Sequence, residues 1–151
     1  MIATFTPCKL AGTIVAPPSK SMAHRYLIGA ALSKEICTLS GVDYSEDILA
    51  SIDCLKALGA GIAIDADRVT VDPSGFMQAE NPVLECRESG STLRFFIPLA
   101  LCLGKRVTLR GSQRLLERPL EEGGGRGLQD GEHMYTHGGF MSMYGKTTTI
   151  L

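Results

Sequence analysis

The chain has 151 residues, of which 44% are hydrophobic and 21% charged, with a formal net charge of −1. That apolar content suffices for a compact core and excludes wholesale disorder. The near-neutral balance argues against a nucleic-acid partner, which would demand a basic surface, so an anionic ligand must be a small molecule met by a few focused charges. Cys8, Cys37, Cys54, Cys86 and Cys102 are odd in number and scattered, mostly among Leu, Ile and Ala. They predict buried, reduced thiols in a cytoplasmic setting rather than a disulfide framework or a zinc site. No N-terminal basic-plus-apolar signal is present, and the longest apolar run, Phe95 to Leu103, is too short to cross a bilayer, so no membrane partner is expected.

In chain order, the pattern predicts a strand over Thr13 to Ala16, a turn at Pro17-Pro18, a helix over Ser21 to Leu32 and a strand over Ile36 to Leu39. A second helix runs from Ser45 to Leu58, followed by Gly59-Ala60-Gly61 and a hairpin, Ile62 to Ile64 and Arg68 to Val71, turning at Asp65-Ala66-Asp67. In the second helix Ile48, Ile52, Leu55 and Leu58 share one face, and Ser45 is placed as N-cap before an acidic first turn. The Ser21 helix is apolar on nearly every side and is expected to be buried all round.

The order then recurs. Ser91 repeats Ser21, and Thr108-Leu109-Arg110-Gly111 repeats Thr38-Leu39-Ser40-Gly41, both at an offset of 70 residues. The second copy is a strand over Val83 to Cys86, a helix over Ser91 to Leu103, a strand over Arg106 to Leu109, a helical stretch from Leu115 to Glu122 and a hairpin-like Gln129 to Thr136. Gly75-Phe76 matches Gly139-Phe140 at an offset of 64, which implies about six residues fewer in the second copy. Two βαβαββ units, 13–76 and a shortened 83–140, are thus expected, with 141–151 assigned to no element. Gly123-Gly124-Gly125 cuts the last helix short, so the sheet beneath it is expected to be partly bare and the chain to self-associate through that face.

Lys20, Ser21 and Arg25 surround the first helix start. Ser21 and Arg25 are four apart and share a face, while Lys20 sits where free N–H groups point outward. A phosphate or carboxylate there would gain charge-assisted hydrogen bonds of about 1.5–3 kcal/mol each and a dipole contribution of about 0.3–1 kcal/mol. The alternative is a solvated Lys20 and Arg25 beside an ordinary cap. Glu88-Ser89-Gly90-Ser91-Thr92 is the counterpart in the second copy, where Gly90 admits a ligand to the backbone and Ser91 and Thr92 add hydroxyls before Arg94. A plain Ser/Gly cap is the alternative there. Arg114, Glu117, Arg118 and Pro119 follow the next strand, and an Arg held before Pro can grip a carboxylate with both nitrogens.

Pro17 to Arg25, Ser45-Glu46-Asp47, Glu88 to Arg94 and Glu117-Arg118-Pro119-Leu120 together resemble the N-terminal part of the 5-enolpyruvylshikimate-3-phosphate synthase family, over about residues 9 to 120. The resemblance implies an α/β fold of repeated βαβαββ units, with buried parallel helices covered by sheets, of which this chain carries a partial lobe. It implies transfer of the enolpyruvyl group of phosphoenolpyruvate to the 5-hydroxyl of shikimate 3-phosphate with release of phosphate, without a metal or organic cofactor. By resemblance Lys20 touches both substrates and is the catalytic residue of this chain. Ser21 and Arg25 hold shikimate 3-phosphate, Gly90 and Arg118 hold phosphoenolpyruvate, and Ser91 and Arg94 support them. Residues 1–12 are expected to form a strand belonging to the other lobe. The third unit and the second lobe of the family have no counterpart here, so a fragment inactive alone is expected.

Three other readings bear on the same residues. The related enzyme acting on UDP-N-acetylglucosamine carries a reactive cysteine near its Arg-Pro pair, and Ser112 to Pro119 contains none. Gly145-Lys146-Thr147-Thr148 resembles a nucleotide-binding loop, but Phe140 stands where that pattern needs its first glycine, and too few residues follow for the helix it requires. A non-catalytic fragment that keeps the anion site is the third.

Overall fold

The computed structural model describes residues 3, 4, 6, 7, 9, 11–102 and 106–116, together with strands at 133–136, 139–144 and 147–150. Its elements in order are α1 (Lys20–Leu32), β1 (Cys37–Leu39), α2 (Glu46–Ala57), β2 (Gly61–Asp65), β3 (Arg68–Asp72), β4 (Val83–Glu85), α3 (Gly90–Cys102), β5 (Val107–Arg110), α4 (Gln113–Leu116), β6 (His133–Thr136), β7 (Gly139–Tyr144) and β8 (Thr147–Ile150). α1 and α3 are both 13 residues long and start 70 residues apart, so the predicted repeat is present in the backbone.

One sheet has the order β1-β3-β2, wholly antiparallel, with Thr38 opposite Thr70. The other has the order β4-β5-β8-β7-β6, where β4 runs parallel to β5 and the remaining pairs are antiparallel. β8 takes against β5 the place that β3 takes against β1: Thr108 faces Thr149. Thr149 stands 79 residues beyond Thr70, nine more than separate Thr38 from Thr108. The closing strand pair of the second copy is therefore β7–β8, not Gln129 to Thr136. By this register the second copy is longer rather than six residues shorter, and 141–144 and 147–150, assigned to no element from sequence, are strand. The Gly75-Phe76 match at an offset of 64 does not follow the strand register, which the sequence does not display and which sets the equivalence here. The truncated helix expected over Leu115 to Glu122 is present as α4 up to Leu116, and 117–122 lie outside the described residues.

Two further expectations are corrected. Thr13 to Ala16 is not a strand: Ile14 and Val15 are 89% and 96% exposed. An apolar, β-branched stretch becomes a strand only against a partner edge, and no edge among the described residues pairs with it. The described residues of 1–12 are likewise exposed and irregular. α1 is not buried all round, since Met22, Tyr26 and Leu32 remain exposed while Leu27, Ala30 and Ala31 are buried. Its packing partners are α2, α3, β1 and β3, and they cover only one side.

A single apolar cluster joins both sheets to the helices, from Leu27 on α1 through Ile52 and Leu55 on α2 and Val71 on β3 to Phe96 on α3 and Leu109 on β5. Burying each of the larger side chains contributes about 1.5–3 kcal/mol. Cys54 and Cys86 lie in this cluster, fully buried. The hydrogen bond between them, with burial, pushes the Cys54 thiol far up, which keeps it neutral. Cys37 is half-buried and Cys102 exposed, so embedding does not hold for all of the described cysteines.

α2 ends where Gly59 turns at φ +100, and a Cβ there would overlap the carbonyl oxygen of Gly75. The reverse approach is also too close, a Cβ on Gly75 meeting the Gly59 oxygen at 2.6 Å. Gly59→Ala should therefore destabilise the chain by at least about 2 kcal/mol, from backbone strain and displaced packing together. Urea unfolding of the variant against the parent checks this, and an unchanged midpoint would show that the turn relaxes freely.

Candidate functional site

The N-terminal ends of α1, α2 and α3 meet at one end of the molecule. α1 is capped by Ser19, whose hydroxyl accepts from the Met22 N–H at 3.4 Å. Ser21, which also suited a cap by sequence, instead lies within the first turn, because Lys20 is already helical. α3 is capped by the buried Ser89, whose hydroxyl accepts from the Thr92 N–H at 3.1 Å. Ser45 holds the cap position of α2 in extended backbone as predicted, but its buried hydroxyl bonds no partner among the described residues.

A chain of hydrogen bonds ties these ends together. His24 Nδ1 and Ser51 Oγ are 2.7 Å apart, Ser51 Oγ and Thr92 Oγ1 are 2.9 Å apart, and Thr92 Oγ1 reaches Ser89 Oγ at 2.8 Å. Thr92 Oγ1 also lies 3.2 Å from the Asp47 carbonyl oxygen, as donor to it. All four side chains are buried. In a low-dielectric interior such a chain is favourable only when every member is satisfied, which fixes the helices' relative rotation.

On this platform Lys20 Nζ lies 3.2 Å from Asp47 Oδ2, with both side chains partly exposed. Pairs so wet contribute at most about 1 kcal/mol; the pairing orients the ammonium more than it stabilises the fold. Arg25 folds back over its own helix, where Nη1 donates to the Ser21 carbonyl oxygen at 2.8 Å and to the Ser21 hydroxyl. Its guanidinium rests on the Phe95 ring of α3, 5.1 Å from the centroid. Gly90 opens α3, and Ser91 and Arg94 are exposed on its first turns. Arg114 is exposed on α4; Glu117, Arg118 and Pro119 lie outside the described residues. Thr147 and Thr148 open β8, which removes the nucleotide-loop reading: that loop needs a helix where this chain has a strand.

Electrostatics separate the three helix ends. The first turns of α1 and α3 hold no acidic residue, whereas α2 begins with Glu46 and Asp47. The positive end of α2 is thus met by its own carboxylates, whereas the first turns of α1 and α3 supply none of their own. Arg87, in the turn before α3, pairs with Glu46 and, at 2.7 Å, with Asp53.

A family model described as EPSP synthase (3-phosphoshikimate 1-carboxyvinyltransferase) matches residues 5–123. The chain belongs to the EPSP synthase family. It is 44% identical over 118 residues to the 3-phosphoshikimate 1-carboxyvinyltransferase of Clostridium perfringens strain ATCC 13124, covering 78% of this chain and 28% of that protein. The enzyme of the same name from Clostridium acetobutylicum is 41% identical over 120 residues, with the same coverage. Two structures of EPSP synthase from Acinetobacter baumannii share the fold. One has a TM-score of 0.67 at 20% identity over 92% of this chain and 31% of that one. The other has a TM-score of 0.63 at 23% identity over 73% and 26%. The chain spans 28% of the length of these curated relatives.

Sequence reasoning named Lys20, Ser21, Arg25, Gly90, Ser91 and Arg94, and the structure sets them on two adjacent helix starts. It quoted His24 and Asp47 only within longer motifs and gave no role to them or to Ser51, Phe95 or Arg87. A polar residue inside an otherwise apolar helix, as His24 in α1 and Ser51 in α2, was the available signal for the buried chain.

Burial lowers the His24 pKa, with Asp47 opposing and Lys20 and Arg25 reinforcing the shift. Native His24 is therefore neutral where the unfolded imidazole, near 6.5, already binds a proton. Its contribution to stability is complete above about pH 6.5 and declines as pH falls from there towards the lowered native value. Urea unfolding at pH 7.5 and pH 5.5 should show a loss at the lower pH that His24→Asn diminishes. An equal loss in both proteins would assign the dependence to other groups.

Proposed function

We propose that this chain supplies one part of the active site of an enzyme that transfers the enolpyruvyl group of phosphoenolpyruvate to the 5-hydroxyl of shikimate 3-phosphate. In that transfer the 5-oxygen bonds to the enol carbon of phosphoenolpyruvate, the bond from that carbon to the phosphate oxygen breaks, phosphate leaves and the hydroxyl proton is released. Both substrates are polyanions. The observation that carries the reading is the pair of neighbouring helix starts, α1 and α3, free of acidic residues in their first turns and joined by a buried hydrogen-bond chain. Family membership supports it.

In this reading Ser21 and Arg25 hold shikimate 3-phosphate, Gly90 and Arg118 hold phosphoenolpyruvate, Ser91 and Arg94 support that grip, and Lys20, steadied by Asp47, lies between the two anions. Catalysis in such a site needs both substrates oriented and shielded from water. With 28% of its relatives' length, the chain alone is proposed to bind without turnover, as a cytoplasmic protein. Exposed Met22, Tyr26 and Leu32 on α1 favour self-association of the isolated chain.

Titration of the purified 151-residue chain with shikimate 3-phosphate should give weak saturable binding, reduced at least about tenfold by Arg25→Ala, the loss of one charge-assisted contact. Phosphate release from the two substrates should stay at the uncatalysed rate. Unchanged affinity in the variant would place Arg25 outside the site, and steady phosphate release would show that the chain is sufficient for catalysis.

A further inference from the structure

We propose that Arg87 is a positioning residue: it clamps the turn between β4 and α3 onto α2 and so fixes where the N–H groups at the Gly90 helix start point. The inference rests on reading that helix start as an anion site.

Among the described residues four that are not glycine have left-handed backbone, Ala66, Met77, Asn81 and Arg87, and Arg87 alone is charged. At φ 53 it holds a conformation that side chains other than glycine and asparagine adopt reluctantly, so something must favour an arginine there. The side chain supplies it. Nη2 donates to Asp53 Oδ2 at 2.7 Å and Nη1 to Glu46. Those carboxylates are seven residues apart on α2, two turns along one face, and they grip the planar guanidinium from two directions.

The backbone around Arg87 is stitched to the turn that follows β5. Cys86 N–H donates to the Arg110 carbonyl at 2.7 Å, Ser112 N–H to the Arg87 carbonyl at 2.8 Å, and Ser89 N–H to the Cys86 carbonyl at 2.9 Å. The clamp thus acts one residue from the Glu88-Ser89-Gly90 start of α3 and on the segment leading to Arg114. It also links the two candidate anion sites, because Glu46 and Asp47 are adjacent on α2 and hold Arg87 and Lys20 respectively. The Arg87 side chain is 39% exposed and Glu46 81%. Pairs that wet add little to global stability, so the predicted effect is on geometry rather than on the unfolding midpoint.

The test compares the full chain with Arg87→Ala and with the double variant Glu46→Gln/Asp53→Asn, which leaves the arginine but removes its partners. Without ligand, amide exchange of Ser89 and Ser112 should quicken at least tenfold in both variants, with Leu55 unchanged within twofold and the urea midpoint close to the parent's. Combining the two sets of changes should add nothing further, as both break one clamp. With inorganic phosphate as probe, the amide response of Gly90 should need at least about fivefold more phosphate in either variant, while that of Ser21 keeps its midpoint. Unaltered exchange at Ser89 and Ser112, or quickening that spreads equally to Leu55, would overturn the proposal. A parent chain showing no phosphate response at Ser21 or Gly90 would overturn the functional reading instead, and the ligand-free exchange would still decide the role of Arg87.

Discussion

Everything at the working end of this chain depends on the hydrogen-bond path from His24 through Ser51 to Thr92 and Ser89. Apolar packing can bring three helices together, but it is permissive about rotation and sliding. A buried polar chain is not, since displacing one member by an ångström strands another without a partner in a medium that cannot replace it. Its members stand near the beginning of their helices: His24 in the second turn of α1, Ser51 in the second of α2, Thr92 in the first of α3, with Ser89 as cap. The three starts are thereby brought level, and the direction of each helix dipole follows.

Given that arrangement, charge decides which starts remain open. α2 begins with two carboxylates, and both are committed, Asp47 to Lys20 and Glu46 to Arg87. The middle helix acts as a strut whose acidic end organises cations for its neighbours, while the first turns of α1 and α3 carry no acidic residue. A net charge of −1 is compatible with recognition of polyanions because the positive potential is local.

The helices and the repeat were legible from sequence because they rest on local pattern: apolar periodicity, caps and a constant offset of 70 residues. What failed depended on partners distant in the chain. Among the described residues, Thr13 to Ala16 reads as a strand but pairs with no edge, and Met22, Tyr26 and Leu32 of α1 stay exposed, though its composition suits full burial. The β5–β8 pairing joins Val107 to Ile150 across a stretch with no recognisable period. In the site, Lys20, Ser21 and Arg25 were visible as a cluster in one motif. Asp47 and Phe95 were not, because each acts from another helix on a residue of α1.

The stacking of Arg25 on Phe95 has a consequence of its own. These two residues occupy the same place in the two copies of the repeat, 70 positions apart. A duplicated unit begins with identical demands on both copies, yet here one copy contributes the cation and the other the ring that cradles it. Once that division of labour exists, the copies cease to be interchangeable. An arginine at both places would set like charges together, and an aromatic at both would leave the α1 start without its guanidinium, so the two positions cannot be made alike without losing the contact.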